Sequence, residues 1–213
     1  MESKISRVKT GIEYFDNALN GGIPAGSTVL ISGTTGTMKS IFAYYILHNN
    51  KGKGVYITLE QSKQSLEEQM KNFGFSKENV KIIDRSEIGK ATQKIPGKSF
   101  LDVFLQYIKI EKTALNFSLL VIDSLPALEI VSDMQRPRIE LFRFFESLRE
   151  LDITAFLITE MSPDLKSYGR YEEDYLADGV IHLKMEEISE VKTQRRIRCV
   201  KMRTTMHSAD WYT

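Results

Sequence analysis

Short β-branched and aliphatic runs alternate along the chain with segments of helical period. The runs at 27–32, 54–59, 80–84, 119–123, 153–159 and 180–185 read as strands. Leu141, Phe144, Phe145, Leu148 and Leu151 recur at i, i+3, i+4, i+7 and i+10, one face of a helix, and Pro137 ahead of them suits its first turn. Leu101, Phe104, Leu105 and Ile108 repeat the pattern. Ser65 followed by Glu68 predicts a capping box opening a helix with Leu66, Met70 and Phe73 on one side.

Residues 119–122 and 155–158 are apolar throughout, as strands are when helices cover both faces. Strands of that kind alternating with helices predict an α/β fold with a mostly parallel central sheet. The runs 180–185 and 195–203 are joined by a polar stretch too short for a crossover helix, so they read as an antiparallel hairpin on the sheet edge. The polar stretches 85–98 and 161–176 read as long loops.

Composition narrows the functional classes. The 213 residues are 42% hydrophobic and 27% charged, enough for a sizeable core, and are expected to form one domain over 1–213. A net charge of +1 gives no global basic field that would argue for nucleic acid or an acidic membrane. The single Cys199 excludes an internal disulfide, and its place on a strand predicts a packing role. His48, His182 and His207 lie too far apart for a short metal motif. The start MESKISRVKT lacks the apolar core of a signal peptide, and no apolar run approaches the ~20 residues of a membrane span. The expectation is a soluble, cytoplasmic protein.

The strongest chemical signal is Gly33-Thr34-Thr35-Gly36-Thr37-Met38-Lys39-Ser40, which follows the strand 27–32 and precedes the apolar helical run 41–47. A strand entering a glycine-rich turn at a helix N-terminus is the setting of a P-loop, whose amides face an anion. Lys39 would reach the β- and γ-phosphates of a nucleotide, and Ser40 would place its hydroxyl on Mg²⁺. Met38 stands where the motif normally carries glycine. It fits if its backbone is already helical and its side chain points away, leaving Gly36 to take any left-handed conformation. A buried run ending in Asp123 has the Walker B arrangement, a carboxylate beside the metal at a strand's C-terminal edge.

Thr10-Gly11, Phe15-Asp16, Leu19, Gly21-Gly22, Pro24 and Gly26 precede this loop with the spacing of the KaiC-like branch of the RecA superfamily. The similarity continues through Tyr56-Ile57-Thr58-Leu59-Glu60, Asp123-Ser124-Leu125, Thr159-Glu160, Ala177-Asp178-Gly179-Val180-Ile181 and Lys201-Met202-Arg203-Thr204-Thr205-Met206-His207. The chain therefore resembles a single KaiC-type ATPase domain. That resemblance implies a RecA-like fold, ATP or ADP with Mg²⁺, and a homo-oligomer, such as a hexameric ring, with nucleotide at subunit boundaries. It implies Glu60 as general base for the attacking water. Where relatives carry a second acid this chain has Gln61, consistent with slow hydrolysis. It also sends Lys201 and Arg203 to the nucleotide of a neighbouring subunit, although Thr204 replaces the family's glycine.

The leading expectation is an ATP-binding protein and Mg²⁺-dependent ATPase whose nucleotide state controls assembly or a protein partner. A DNA-binding recombinase accessory protein is one alternative, with 125–138 and 161–176 as its DNA-facing loops. They carry Arg136, Arg138, Lys166 and Arg170, mixed with acids such as Glu129, Asp164 and Glu173, which is poor for tracking phosphates. A non-hydrolysing nucleotide sensor is the other.

Overall fold

The computed structural model describes residues 6–50, 54–76, 79–92, 98–161 and 167–213. Near its start Arg7–Val8 (β1) and a later segment, Ile23–Pro24 (β2), form a short antiparallel ladder around the helix Glu13–Ala18 (α1). The strict alternation then begins with Thr28–Gly33 (β3), Lys39–Asn49 (α2), Gly54–Thr58 (β4), Lys63–Asn72 (α3) and Val80–Asp84 (β5). Two helices follow, Arg85–Thr92 (α4) and Phe100–Leu115 (α5), before Leu119–Asp123 (β6). Leu125–Ser132 (α6), Pro137–Glu150 (α7), Thr154–Glu160 (β7) and Glu173–Leu176 (α8) lead to the hairpin Gly179–Ser189 (β8) and Lys192–Met202 (β9).

Seven strands make one sheet in the order β5-β4-β6-β7-β3-β8-β9, all parallel except β9. The apolar runs explain this placement: β3, β4 and β6 are buried along their whole length, which only a sheet covered on both faces permits. One core cluster joins α1, α2 and α3 to one face, and a second joins α5, α6 and α7 to the other. The chain leaves β3 and returns to the sheet at β4, beyond β7 and β6, so a topological switch lies at the C-terminal ends of these strands. Among the described residues no helix is long and apolar enough to cross a membrane.

Four local readings are corrected. The helix cap lies upstream of the expected capping box: Ser62 is the N-cap of α3 and its hydroxyl accepts from the amide of Ser65, 3.2 Å away. Leu66 and Met70 face the core from α3, but Phe73 is 48% exposed and belongs to the site below. The stretch read as a loop from 85 begins with α4, anchored by Asp84, which accepts from the amides of Ser86 and Glu87; 93–97 lie outside the described residues. Likewise α6 occupies much of the first loop proposed to face DNA, and Lys166 and Asp164 of the second lie outside the described residues.

Candidate functional site

The site grows from β3. A Cβ on Gly33 would lie 2.2 Å from the carbonyl oxygen of Leu183 on the adjacent strand, so only glycine lets β3 and β8 run side by side into the turn. Gly36 takes a φ of +82°. Met38, the N-cap of α2, also has left-handed backbone, at φ 68° and ψ 33°. The expectation of right-handed helical backbone at Met38 is thus overturned. The glycine usual at this position answers a dihedral requirement, which Met38 meets at a cost of ~1–2 kcal/mol.

Lys39 opens α2 and turns back over the loop, its ammonium donating to the carbonyls of Gly33 at 2.9 Å and Thr34 at 3.1 Å. Thr37 pins the same turn by donating to Thr34 O at 2.8 Å. Burial lowers the Lys39 ammonium from its ordinary range, opposed by the carboxylates of Glu160, Asp123 and Glu60. A cleft of about 360 Å³ opens over this turn. Thr35 to Ile41 form its floor, and Glu60, Asp123, Ser124 and Glu160 come to it from the ends of β4, β6 and β7.

Asp123 is 5% exposed. Burial raises its carboxyl above the usual range, opposed by hydrogen bonds from Tyr56 and Ser40. The Tyr56 hydroxyl donates to Asp123 Oδ2 at 2.6 Å, and burial beside that carboxylate holds the phenol well above its ordinary range. Ser124 caps α6 and donates through its hydroxyl to Glu60. Gln61 is not part of the cleft lining, although its amide reaches Oε1 of Gln69, which is, at 3.4 Å.

The expected residues Gly33, Thr34, Thr35, Gly36, Thr37, Met38, Lys39, Ser40, Glu60 and Asp123 therefore form one constellation. Lys201 and Arg203 do not join it. Gly33, the last residue of β3, pairs with Leu183, whereas Met202 pairs with Gly179 at the other end of β8, ~13 Å away along the strand. Arg203 falls just beyond β9 rather than within it. Lys201 donates to the carbonyls of Asp174 and Ala177 at 2.7 and 2.8 Å, and Arg203 to Asp178 Oδ1 at 3.2 Å and Tyr175 O at 3.1 Å.

Sequence reasoning missed Tyr56, Gln69, Phe73 and Glu160 as site residues. Phe73 and Gln69 line the cleft from α3, offering an aromatic face and an amide. Cys199 is buried, its thiol pushed up to about 12 mainly by burial, in keeping with packing. Two of the basic residues of the proposed DNA loops have acidic neighbours: Arg138 pairs with Glu172, and Arg170 acts on Glu129.

The donor set fits a magnesium–nucleotide complex. Ser40 and Asp123 line the same cleft, beside one lysine and a turn with backbone amides at a helix N-terminus. A parallel sheet with this turn at its switch point and an antiparallel terminal hairpin defines a RecA-type P-loop nucleotide-binding domain. Comparison with known proteins makes the class specific. The family model described as the KaiC ATPase matches residues 8–213, and the chain belongs to that family. Circadian clock oscillator protein KaiC of Prochlorococcus marinus is 28% identical over 218 residues, 96% of this chain and 43% of that protein. Circadian clock protein KaiC3 of Synechocystis is 30% identical over 214 residues, 95% of this chain and 42% of that protein. The chain thus spans less than half the length of these curated relatives. It is also similar to the crystal structure of a KaiC-like protein from the archaeon Pyrococcus horikoshii, with a TM-score of 0.82 and 33% identity, covering 98% of this chain and 94% of that one.

Proposed function

We propose that this chain binds ATP with Mg²⁺ over the Gly33–Ser40 turn and hydrolyses it slowly in an assembly of its own copies. The observation that carries this reading is the convergence of Lys39, Ser40, Asp123 and Glu60 on one cleft, at the end of the sheet away from Lys201 and Arg203. Lys39 exchanges its carbonyl partners for phosphate oxygens, and the loop amides orient the triphosphate. Ser40 and Asp123 hold Mg²⁺, which supplies charge neutralisation on the β- and γ-phosphates when bound. Glu60, oriented by Ser124, accepts a proton from the attacking water. Lys201 and Arg203 stabilise the charge developing on a neighbouring copy's nucleotide, and nucleotide state thereby controls assembly or a partner.

The test is complementation between copies. Glu60→Gln retains the basic pair and loses the base; Arg203→Ala does the reverse. Each alone should be inactive and their mixture should regain part of the turnover. Turnover per chain in the parent should also fall steeply on dilution through dissociation, because trans-acting arginines contribute ~10³–10⁵ in rate among P-loop enzymes. ATP binding without turnover at any concentration would leave a nucleotide sensor; flat activity on dilution with no recovery in the mixture would reject action between copies.

A further inference from the structure

Two carboxyl groups that the catalytic reading does not use, Glu129 and Glu173, are buried with their side chains within hydrogen-bond reach of each other. Glu129 on α6 is 8% exposed and Glu173 on α8 is fully buried. Drawn as carboxylates, Oε1 of each has no hydrogen-bond partner among the described residues. The other oxygen of Glu173 is well held: the Tyr171 amide donates to it at 2.9 Å, and Gly169 passes so close that a Cβ there would meet it at 2.0 Å. A proton between the two groups turns one orphaned acceptor into a donor and removes the like-charge repulsion together.

The surroundings offer little to hold two charges. Arg170 is the cation that acts on Glu129. From α7, Arg138 is engaged by Glu172, and Arg149 by Asp178 Oδ2 at 3.0 Å and by the carbonyl of Leu176. Glu172, Asp174 and Asp178 on or next to α8 add negative charge. The α5 and β7 side chains packed in the same core as α6 are apolar, among them Leu101, Phe104, Ile108 and Leu157. In this setting burial, then Glu173, pushes the Glu129 carboxyl up to about 8.

Position gives the pair a consequence. Through Ser124 at its N-cap, α6 starts beside Glu60 and Asp123. On the other side, the carbonyls of Asp174, Tyr175 and Ala177 and the carboxylate of Asp178 hold Lys201 and Arg203. We propose that Glu129 and Glu173 share one proton, that this proton ties α8, which packs on α7, to α6 as well, and that the tie sets where Lys201 and Arg203 point. The folded state favours the protonated form, so this contribution to docking is complete at acid pH and is lost as pH rises through the folded value. Losing the proton lifts α8 and frees the basic pair from its own chain. The effect on turnover rests on the reading of Lys201 and Arg203 given above; the docking does not.

Hydrogen–deuterium exchange of the intact protein tests it, with rates corrected for chemical exchange. Between about pH 6 and about pH 9, amides of 167–178 should lose about tenfold or more in protection while β6 and β7 hold theirs. Glu129→Gln keeps the hydrogen bond and cannot ionise, so its protection should stay flat, and it should lack a protonated-carboxyl infrared band present in the parent. Glu173→Gln is the second such variant. Flat protection in the parent, or a parent-like loss in both variants, would overturn the proposal. If exchange changes with pH as expected but ATP turnover does not, the shared proton stands and the role given to Lys201 and Arg203 fails. Loss of all turnover in the parent, with the exchange step intact, fails the ATPase reading alone.

Discussion

The hydroxyl of Tyr56 donates to Oδ2 of Asp123 at 2.6 Å, so a buried phenol on β4 fixes the carboxylate at the end of β6. Tyr56→Phe removes this bond and leaves a buried oxygen short of a partner. It should lower stability by ~1–2 kcal/mol in chemical denaturation. It should also raise the Mg²⁺ concentration that half-saturates ATP binding, because the carboxylate proposed to hold the metal loses its orientation. An unchanged Mg²⁺ requirement would reduce Tyr56 to a packing residue.

Met38→Gly should stabilise the protein. Left-handed backbone costs a non-glycine residue ~1–2 kcal/mol, while glycine's freedom in the unfolded chain takes back ~0.4–1 kcal/mol. A net gain of roughly 0.5–1 kcal/mol should appear as a higher thermal midpoint, with ATP bound at least as tightly. A lower midpoint would mean that Met38 packs more favourably than its dihedral costs.

Lys39→Ala should remain folded by circular dichroism and lose ATP binding by calorimetry, at least a hundredfold given ~1.5–3 kcal/mol for each charge-assisted bond and more than one such bond. Parent-like affinity in the folded variant would reject the phosphate site.

Phe73→Ala should change stability little, because the ring is half exposed. ATP affinity should fall about fivefold if the ring lies against the nucleoside, matching ~1 kcal/mol for an aromatic contact. Equal affinities for ATP and inorganic triphosphate in the parent would argue that the nucleoside makes no such contact.

His182 sits 8% exposed between the rings of Tyr168 and Trp211. Burial, then the charges of Arg198 and Lys184, pushes its imidazole down to about 4. A base whose folded value lies below its unfolded value of 6.5 binds protons preferentially when unfolded. Its contribution to stability is therefore complete above about pH 6.5 and declines as pH falls toward about 4. His182→Gln should lose that part of the acid dependence in denaturation curves at stepped pH, and an unchanged slope would count against it.

The strands and the phosphate loop were legible because they rest on local chemistry: buried apolar runs, a glycine that must admit a neighbouring strand, and a lysine at a helix start. The left-handed Met38 was not, since a residue name carries no dihedral angle. Nor was α4, where Ile88 is the one buried apolar side chain among those described and Gly89 interrupts. Phe73 shared the period of Leu66 and Met70, yet faces the cleft. Glu129 and Glu173 are far apart in sequence and counted there only as acids in two loops proposed to face DNA; their meeting is a property of topology.

The lysine that closes over the Gly33–Ser40 turn is also part of what shapes that turn. Lys39 holds Gly33 O and Thr34 O, so the turn keeps its curvature around an internal cation. The two bonds tie the first residue of α2 back to the end of β3, so the ammonium fixes the shape of the turn as well as its charge. Lys39→Ala should accordingly loosen the turn itself, seen as faster amide exchange across 34–38 than in the parent.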